Sequence, residues 1–259
     1  MEIKDECKHK VCVVTGCTGG IGAGIARRLA ADGLSVVVSG RRVVRGEEIA
    51  RQITDGGGTA SFLQADMADR EACLRLIEGA VARYGRLDVL VNNAGIFPIA
   101  EIRDTTADLW DRVFAINVRG AFLCAQAAIP HLRNQGGGSI VNIGSTTPFR
   151  AGGDRVAYAS SKGALLTMTK ALARALCRDK IRVNWVAVGW VASEGEIELR
   201  SQHISNGRGR EFLDKISAEA PMGRLETAED IAAGVAYLVS DDASHVTGCE
   251  LNISGGLWV

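Results

Sequence analysis

Short, unbroken hydrophobic runs recur along the chain and predict strands that are buried on both faces. They lie at residues 11–14, 36–38, 89–91, 140–143 and 183–186. Unbroken runs, in contrast to alternating ones, are typical of parallel strands covered by helices on both sides of the sheet. Glycine triplets at 56–58 and 136–138 precede further β-rich residues and predict turns from helix to strand.

Between these runs, hydrophobic residues repeat with the period of an α-helix. Ile21, Ile25 and Leu29 recur at every fourth position before a glycine, and a second stripe from Cys73 to Tyr84 also ends at a glycine. Regular alternation of strands and helices predicts a doubly wound, Rossmann-like parallel sheet in three α/β/α layers. We expect one α/β domain that spans residues 1–259.

The segment from about residue 193 to residue 222 departs from this alternation. It is polar and contains several glycines, and both the strand and the helix signals fade along it. Long segments of this kind in compact domains often serve as functional lids. We therefore expect a substrate lid here. Its polar candidates for substrate contact are Arg200, His203, Arg208 and Arg210, and a solvated surface is the alternative interpretation.

Charge and composition exclude several classes of function. The 30 Lys and Arg residues balance 30 Asp and Glu residues, which leaves no electrostatic footprint for nucleic acid or for an anionic membrane. No apolar stretch reaches the roughly 18 residues of a transmembrane helix, so we expect none. A small molecule is the expected partner.

The cysteines indicate a reducing compartment. There are seven of them, an odd number, with no C-x-x-C pair, and the first residues of the chain do not resemble a signal peptide. We therefore expect reduced cysteines in a cytoplasmic protein. Cys7, His9 and Cys12 are close in sequence, but no second cluster with zinc spacing accompanies them, and we expect no metal site.

A glycine-rich segment directly after the first predicted strand predicts a dinucleotide site. It reads Thr15-Gly16-Cys17-Thr18-Gly19-Gly20-Ile21-Gly22 and leads into the first predicted helix. Glycines here allow the backbone to approach a pyrophosphate, which the amides and dipole of the helix N-terminus attract. No Gly-Lys-Ser/Thr follows, so a nucleoside-triphosphate loop is excluded. A purely structural turn is the alternative.

The end of the second predicted strand indicates which dinucleotide is bound. Where NAD sites carry an acid that binds the adenosine ribose, this chain has Arg41 and Arg42. Arginine binds phosphate through paired hydrogen bonds, so the sequence favours NADP(H) with its 2′-phosphate. NAD(H) is the alternative cofactor. The alternative structural interpretation is that both arginines are ordinary surface residues at the start of a helix.

A tyrosine and a lysine four residues apart predict acid/base chemistry. On a helix, Tyr158 and Lys162 share one face, and an ammonium near the phenol is expected to lower a pKa that is ordinarily near ~10. Ser145 follows the strand at 139–144, at the edge where doubly wound sheets bind ligands, and its hydroxyl can polarise a substrate carbonyl. A serine that only caps this turn is the alternative.

In their order along nearly the whole chain, these motifs resemble the short-chain dehydrogenase/reductase family. The matching positions are Thr15-Gly16 through Gly22, Asp66, Asn92 through Gly95, Asn117, Ser145, Tyr158 and Lys162. The resemblance implies that Tyr158 is the general acid/base and that Lys162 lowers its pKa and holds the nicotinamide ribose. It also implies that Ser145 orients the substrate and that Asn117 anchors a water in a proton relay.

The cofactor residues expected from the motifs and the resemblance extend over much of the chain. They are Thr15, Gly16, Thr18, Gly20, Ile21, Gly22, Arg41, Arg42, Asp66, Met67, Asn93, Ala94, Gly95, Tyr158, Lys162, Gly189, Val191 and Ser193. From the residues alone, Asp66 is equally a helix N-cap and Asn117 a buried residue that ties a bend in a long helix.

Three positions depart from the family pattern after the sixth and the last predicted strands. Val188 replaces a proline, which removes a fixed φ, and Ser193 keeps a hydroxyl where a threonine is usual. Ser254 replaces an aspartate near the C-terminus, so a charge is lost there. The turn geometry around Trp190 is therefore open.

The sequence thus predicts an NADP(H)-dependent oxidoreductase that interconverts a secondary alcohol and a ketone. It resembles 3-oxoacyl-carrier-protein reductases and the sugar, polyol and hydroxysteroid dehydrogenases, and the polar lid favours a sugar or polyol. The family resemblance implies a homotetramer, or a homodimer, that pairs helices around residues 106–133 and 155–178. A non-catalytic NADP-binding sensor or scaffold is the hypothesis from another class.

Overall fold

The computed structural model describes residues 10–203 and 208–257, and only the backbone of Arg200 and His203. Within these residues, seven strands form one fully parallel sheet in the order β3-β2-β1-β4-β5-β6-β7. The strands are β1 (Val11–Val14), β2 (Ser35–Gly40), β3 (Thr59–Gln64), β4 (Val89–Asn92), β5 (Gly138–Ile143), β6 (Ile181–Val188) and β7 (Glu250–Ile253). The sequence-predicted strands are confirmed.

Helices cover both faces of the sheet and complete the predicted three-layer, single-domain arrangement. They are α1 (Gly20–Ala31), α2 (Val43–Asp55), α3 (Arg70–Tyr84), α4 (Ala107–Phe114), α5 (Ala121–Asn134), α6 (Val156–Leu176), α7 (Glu194–His203), α8 (Gly209–Glu219) and α9 (Ala228–Val239). One hydrophobic core joins α1, α2 and α9 to the sheet, and a second joins α3, α5 and α6 to its other face. Burial on both faces explains the unbroken apolar runs.

The helix ends follow the expected capping chemistry. The carboxylate of Asp69 accepts a hydrogen bond from the Glu71 amide and begins α3, and Gly85 ends that helix with φ 77°. Asp69, and not Asp66, is therefore the N-cap, which removes the structural alternative considered for Asp66. Thr227 and Asp230 form a reciprocal capping box at the start of α9.

A long continuous helix corrects one expectation from the sequence. A π-helical segment, Ala115–Gly120, joins α4 to α5, and the resulting 28 residues are long and apolar enough, by length and composition alone, to cross a membrane. Half of the apolar window is buried inside the fold, where α5 packs against α3. Its apolar character is therefore accounted for by the packing of this domain.

Most of the described residues within the segment 193–222 are helical, which corrects its prediction as irregular. Helices α7 and α8 cross closely at Gly209, where a side-chain carbon would contact the carbonyl of Ile197. Leu213 is buried, and Phe212 packs against Trp190 with 5.6 Å between ring centroids. The helical signal is weak because most of α7 is polar. The side chains of Arg200 and His203 lie outside the described residues.

The cysteines of the described part of the chain are all unpaired. Cys12, Cys17, Cys73 and Cys124 are buried among apolar side chains. Cys7 and His9 lie outside the described residues. Within those residues, no three His, Cys, Asp or Glu side chains form a group that can hold a metal ion.

Candidate active site

A cavity of about 800 Å³ opens at the carboxyl ends of the strands. Its volume falls within the range of small-molecule sites, and its position is the ligand-binding edge of a doubly wound sheet. Most of the sequence-predicted site residues line it: Gly16, Thr18, Gly20, Ile21, Gly22, Arg41, Arg42, Asp66, Met67, Asn93, Ala94, Gly95, Ser145, Tyr158, Lys162, Gly189, Val191 and Ser193. Thr15 and Asn117 are buried behind its wall, each 1% exposed.

The glycine-rich loop is held against the loop after β4 by a network of short hydrogen bonds. The Thr15 hydroxyl accepts bonds of 3.0 Å from the amides of Asn93 and Ala94. The side chain of Asn93 donates to the carbonyls of Thr15 and Gly16 at 2.9 and 3.0 Å. Thr15 and Asn93 therefore fix the loop in place and leave its outer face to the cavity.

The same loop fits the pyrophosphate of a dinucleotide. Gly16 has φ +65°, and a β-carbon there would lie 2.6 Å from Cα of Ala94, so only glycine is accommodated. A β-carbon on Gly22 would contact the Asn93 amide. Helix α1 begins here with no side-chain cap on its first amides, which leaves an anion-binding helix terminus facing the cavity.

The two arginines after β2 differ in their surroundings. Arg42 donates from Nε to the hydroxyl of Thr18 at 3.1 Å and from Nη2 to its carbonyl at 2.9 Å, so it braces the glycine-rich loop. Arg41 lines the cavity, is exposed, and makes no side-chain hydrogen bond or ion pair with any described residue. Of the two, Arg41 has its whole guanidinium uncommitted among the described residues, whereas Arg42 uses two of its donors on Thr18.

Asp66 and Met67 lie beyond the arginines, at the end of β3. The Asp66 carboxylate accepts a hydrogen bond of 3.0 Å from the Ala68 amide and faces the cavity. Met67 is 5% exposed and packs beside Gly120 and Cys124. The polar side chain of Asp66 suits the edge of an aromatic base, and the apolar side chain of Met67 suits its face.

Ser145, Tyr158 and Lys162 converge on the opposite end of the cavity. Tyr158 and Lys162 lie on one face of α6, with Nζ of Lys162 5.8 Å from the centroid of the phenol ring. Ser145 follows β5, and its hydroxyl lies 2.5 Å from that of Thr147 and accepts from the Thr147 amide at 3.1 Å. The edge of Phe97 packs against the Tyr158 ring, with 6.3 Å between centroids.

The direction of the Tyr158 pKa shift is opposite to the one expected from the sequence. Burial raises the pKa of the phenol above 10.0, although a hydrogen bond with Ser145 and the charge of Arg155 act to lower it. Burial outweighs both effects, and the ammonium of Lys162, close to the phenol ring, donates a 2.6 Å hydrogen bond to the carbonyl of Ile143. Burial lowers the pKa of Lys162 itself to about 8.

Asn117 connects the π-helical segment to the catalytic wall. Its side chain accepts from the Ile96 amide at 2.8 Å and donates to the Ile96 carbonyl at 2.9 Å and to the Ser161 hydroxyl at 3.0 Å. A β-carbon on Gly95 would lie 3.3 Å from Oδ1 of Asn117 and 3.7 Å from Nζ of Lys162. Asn117 therefore ties the helix irregularity to the loop after β4, beside Lys162.

Two of the departures from the family pattern, Ser193 and Ser254, lie in or beside the loop after β6. Ser193 accepts a hydrogen bond of 3.3 Å from the Glu196 amide at the start of α7, and Val191 forms a bridge with Glu226. A β-carbon on Gly189 would lie 2.9 Å from the Glu226 carboxyl and 3.0 Å from Ser254. Glu226 thus places a carboxyl beside the position where Ser254 replaces an aspartate.

Comparisons with known proteins agree with this geometry. A family model described as enoyl-(acyl carrier protein) reductase matches residues 16–258. An uncharacterized oxidoreductase of Methylorubrum extorquens is 42% identical over 249 residues, which are 96% of this chain and 97% of that protein. The chain belongs to the short-chain dehydrogenase/reductase family.

Other members of the short-chain dehydrogenase/reductase family align over nearly the same length. An L-rhamnose 1-dehydrogenase (NAD(P)(+)) of Azotobacter vinelandii is 34% identical and covers 96% of this chain and 97% of its own. The solved structure of a Sinorhizobium meliloti 1021 protein, provisionally assigned as a short-chain alcohol dehydrogenase, has a TM-score of 0.87 at 33% identity and covers 96% of each chain. The chain is therefore an oxidoreductase of this family.

Two charged residues at the substrate end of the cavity were missed in the sequence. Arg155 directly precedes α6, three residues before Tyr158, and Glu196 lies on α7. Both line the cavity, and Glu196 is 8% exposed. Arg155 could have been found from its position three residues before Tyr158, because residues with this spacing lie close together on a helix. Glu196 had no comparable signal, because α7 itself was not predicted.

Proposed function

We propose that this protein is an NADP(H)-dependent reductase/dehydrogenase that interconverts a ketone and a secondary alcohol. The observation that carries the proposal is the convergence of Ser145, Tyr158 and Lys162 at one end of a cavity whose other end is a glycine-lined dinucleotide cradle. Hydride donor and proton donor can then act on one carbonyl group from fixed positions.

In the direction of reduction, the protein's part is to hold the carbonyl and deliver a proton. NADPH, held by the glycine-rich loop and Arg41, would supply the hydride that the carbonyl carbon accepts. The Ser145 hydroxyl donates to the carbonyl oxygen and stabilises its developing charge. The Tyr158 phenol gives its proton to that oxygen, and its raised pKa keeps it protonated at neutral pH. In oxidation, the same groups act in reverse.

Lys162 and Asn117 are proposed to support the proton transfer. Lys162, with its pKa near 8, is mainly an ammonium at neutral pH and favours the phenolate that remains after transfer. We propose that it also holds the nicotinamide ribose, as the family resemblance implies. Asn117 keeps the loop after β4 at a fixed distance from Lys162, beside the position where the family resemblance implies a relay water.

The preference for NADP(H) is proposed from the adenosine end of the cavity. Arg41 is exposed with no side-chain partner among the described residues, and no acid stands beside it to bind a 2′-hydroxyl. Its guanidinium suits a 2′-phosphate. NAD(H) remains the second candidate cofactor, and one relative, the L-rhamnose 1-dehydrogenase, carries both cofactors in its name.

We further propose a lid, an assembly and a location for the protein. Helices α7 and α8, within 193–222, form the lid over the substrate. The exposed aromatic side chains of Trp110 and Phe122 lie on the long helix α4–α5, which supports pairing of such helices in a homotetramer or homodimer. Light scattering tests the assembly. The cytoplasmic location stays a prediction from the cysteines.

The test is oxidation of NADPH and NADH against a panel of 3-oxoacyl thioesters, keto sugars and oxo-steroids, followed through the absorbance of the reduced nicotinamide. We expect turnover with NADPH and at least one ketone, and its loss in Tyr158→Phe. Tight NADPH binding without turnover on any member of the panel would favour the non-catalytic sensor instead.

A further inference from the structure

A buried ion pair closes the substrate end of the cavity. Nη2 of Arg155 lies 3.6 Å from Oε1 of Glu196, and the two side chains are only 12% and 11% exposed. The pair joins the start of the catalytic helix α6 to α7, so it links Tyr158 to the proposed lid. Both residues line the cavity.

Arg155 has hydrogen-bonding capacity that the described protein atoms do not use. Its Nη2 is buried and has no partner at hydrogen-bond distance among the described residues, since the Glu196 oxygen is too far away. A guanidinium nitrogen withdrawn from water without an acceptor carries a desolvation cost. A substrate group that accepts from Arg155 removes this cost.

The pair also lies within electrostatic range of the reacting proton. The charge of Arg155 lowers the pKa of the Tyr158 phenol, and the charge of Glu196 raises it. A substrate atom held between them is therefore close to the carbonyl that Tyr158 protonates. Arg155 precedes Tyr158 by three residues at the start of the same helix, so the pair can contact substrate atoms next to the carbonyl group.

We propose that Arg155 and Glu196 recognise a hydroxyl group on the carbon next to the reacting carbonyl, so that α-hydroxy ketones and the matching vicinal diols are the preferred substrates. This inference rests on the proposed function. A hydroxyl satisfies both partners at once, because its oxygen accepts from the guanidinium while its proton is donated to the carboxylate.

Two other substrate classes fit this end of the cavity less well. A plain ketone leaves Arg155 without an acceptor. A keto acid places a carboxylate beside Glu196, in a region where acids outnumber bases. The charged residues of the described chain that line it are Arg150, Asp154, Arg155, Lys162, Glu194, Glu196 and Glu198.

The test compares two ketones that differ by one hydroxyl group, 2-hydroxycyclohexanone and cyclohexanone, with NADPH as the reductant. A site built to bind a substrate hydroxyl discriminates strongly against the analogue without it, so we expect kcat/KM to favour the hydroxy ketone by about 100-fold or more. In Glu196→Gln and Arg155→Met, we expect this ratio to fall by about tenfold or more. Both substitutions also change the charge near Tyr158, so turnover of either ketone is expected to change, and the ratio of the two kcat/KM values is the readout.

Glu198→Gln is the matched control, because Glu198 is an exposed carboxylate on the same helix and lines the same cavity. It should keep the wild-type ratio. Arg155→Lys, which keeps the charge but loses the planar fork, should keep the fold and recover only part of the preference. NADPH binding by each variant shows that it is folded.

The outcomes separate this inference from the function on which it rests. Equal kcat/KM for the two ketones in the wild type would overturn the inference and leave the reductase intact. Preference for 2-oxobutyrate over both would overturn it in favour of carboxylate recognition by Arg155. Absence of turnover with every ketone, in protein that binds NADPH, would overturn the proposed function together with the inference.

Discussion

The two ends of the cavity are built in different ways. At the carbonyl end, Lys162 is 5% exposed and Asn117 1%, and both are fixed by short hydrogen bonds. At the adenosine end, Arg41 is exposed and has no side-chain partner among the described residues. A proton transfer requires fixed distances and controlled pKa values, whereas a phosphate is bound well by a charged group at the surface. Changes at the two ends should therefore affect different measured quantities.

The largest effect is expected from Lys162→Met, at the buried end. Loss of the ammonium removes the charge that favours the Tyr158 phenolate, so kcat/KM should fall by about 10²–10⁴-fold. Steady-state kinetics measures the change. Lys170→Met is the control on the same helix, since Lys170 is half-exposed and paired with Glu250, and it should be near wild type. Similar losses in both would show that α6 is merely sensitive to lysine replacement.

The next largest effect is expected from Arg41→Asp, at the exposed end. The affinity for NADPH should fall by about 10-fold to 100-fold, which corresponds to about 1.4–2.8 kcal/mol, while that for NADH changes little. Titration of cofactor fluorescence measures both. Arg45→Asp makes the same charge change on α2 outside the cavity and should have little effect. An equal loss for both dinucleotides would mean that Arg41 does not recognise the 2′-phosphate.

Gly16→Ala should act on the cradle between the two ends. The positive φ and the close contact with Ala94 should lower the free energy of unfolding by about 1–2 kcal/mol more than in the control, and weaken both dinucleotides together. The control is Gly57→Ala, where φ is +87° but no atom lies within 4 Å. Chemical denaturation compares them. Equal destabilisation of the two variants would mean that backbone strain alone explains the lost stability, with no contribution from the contact with Ala94.

The smallest effect is expected from Glu226→Gln, beside Gly189. Burial raises the pKa of Glu226 above 4.5, so the folded protein resists its ionisation. The wild type therefore loses stability as pH rises from the ordinary value through the raised one, and the glutamine variant does not. Melting temperatures at about pH 5 and about pH 8 should show a larger advantage of the variant at the higher pH. A constant difference would refute the pKa argument.

Most of the sheet and the dinucleotide cradle could be predicted from the sequence because their signals are local. A strand buried on both faces requires an unbroken apolar run, as at 36–38, and the cradle requires glycines where a β-carbon meets Ala94. The acid/base pair was predicted from a helical spacing. Those features depend on residues that are close in sequence or fixed by backbone geometry.

The remaining features depend on contacts between distant segments. The Tyr158 pKa is set by burial in the folded cavity, which spacing alone does not reveal. Helix α7 is polar and is positioned by packing on α8, so its pattern did not predict a helix. Glu196 meets Arg155 only after α7 folds over the cavity, and Arg42 reaches Thr18 only after β2 is placed beside the glycine-rich loop.

The most direct test of the account is to measure kcat and NADPH affinity on the same preparation of Tyr158→Phe. The account predicts that kcat for ketone reduction falls by about 10³-fold, since the general acid is lost, while the Kd for NADPH stays within about twofold of wild type. Turnover near the wild-type rate in this variant would contradict the assignment of Tyr158 as the proton donor.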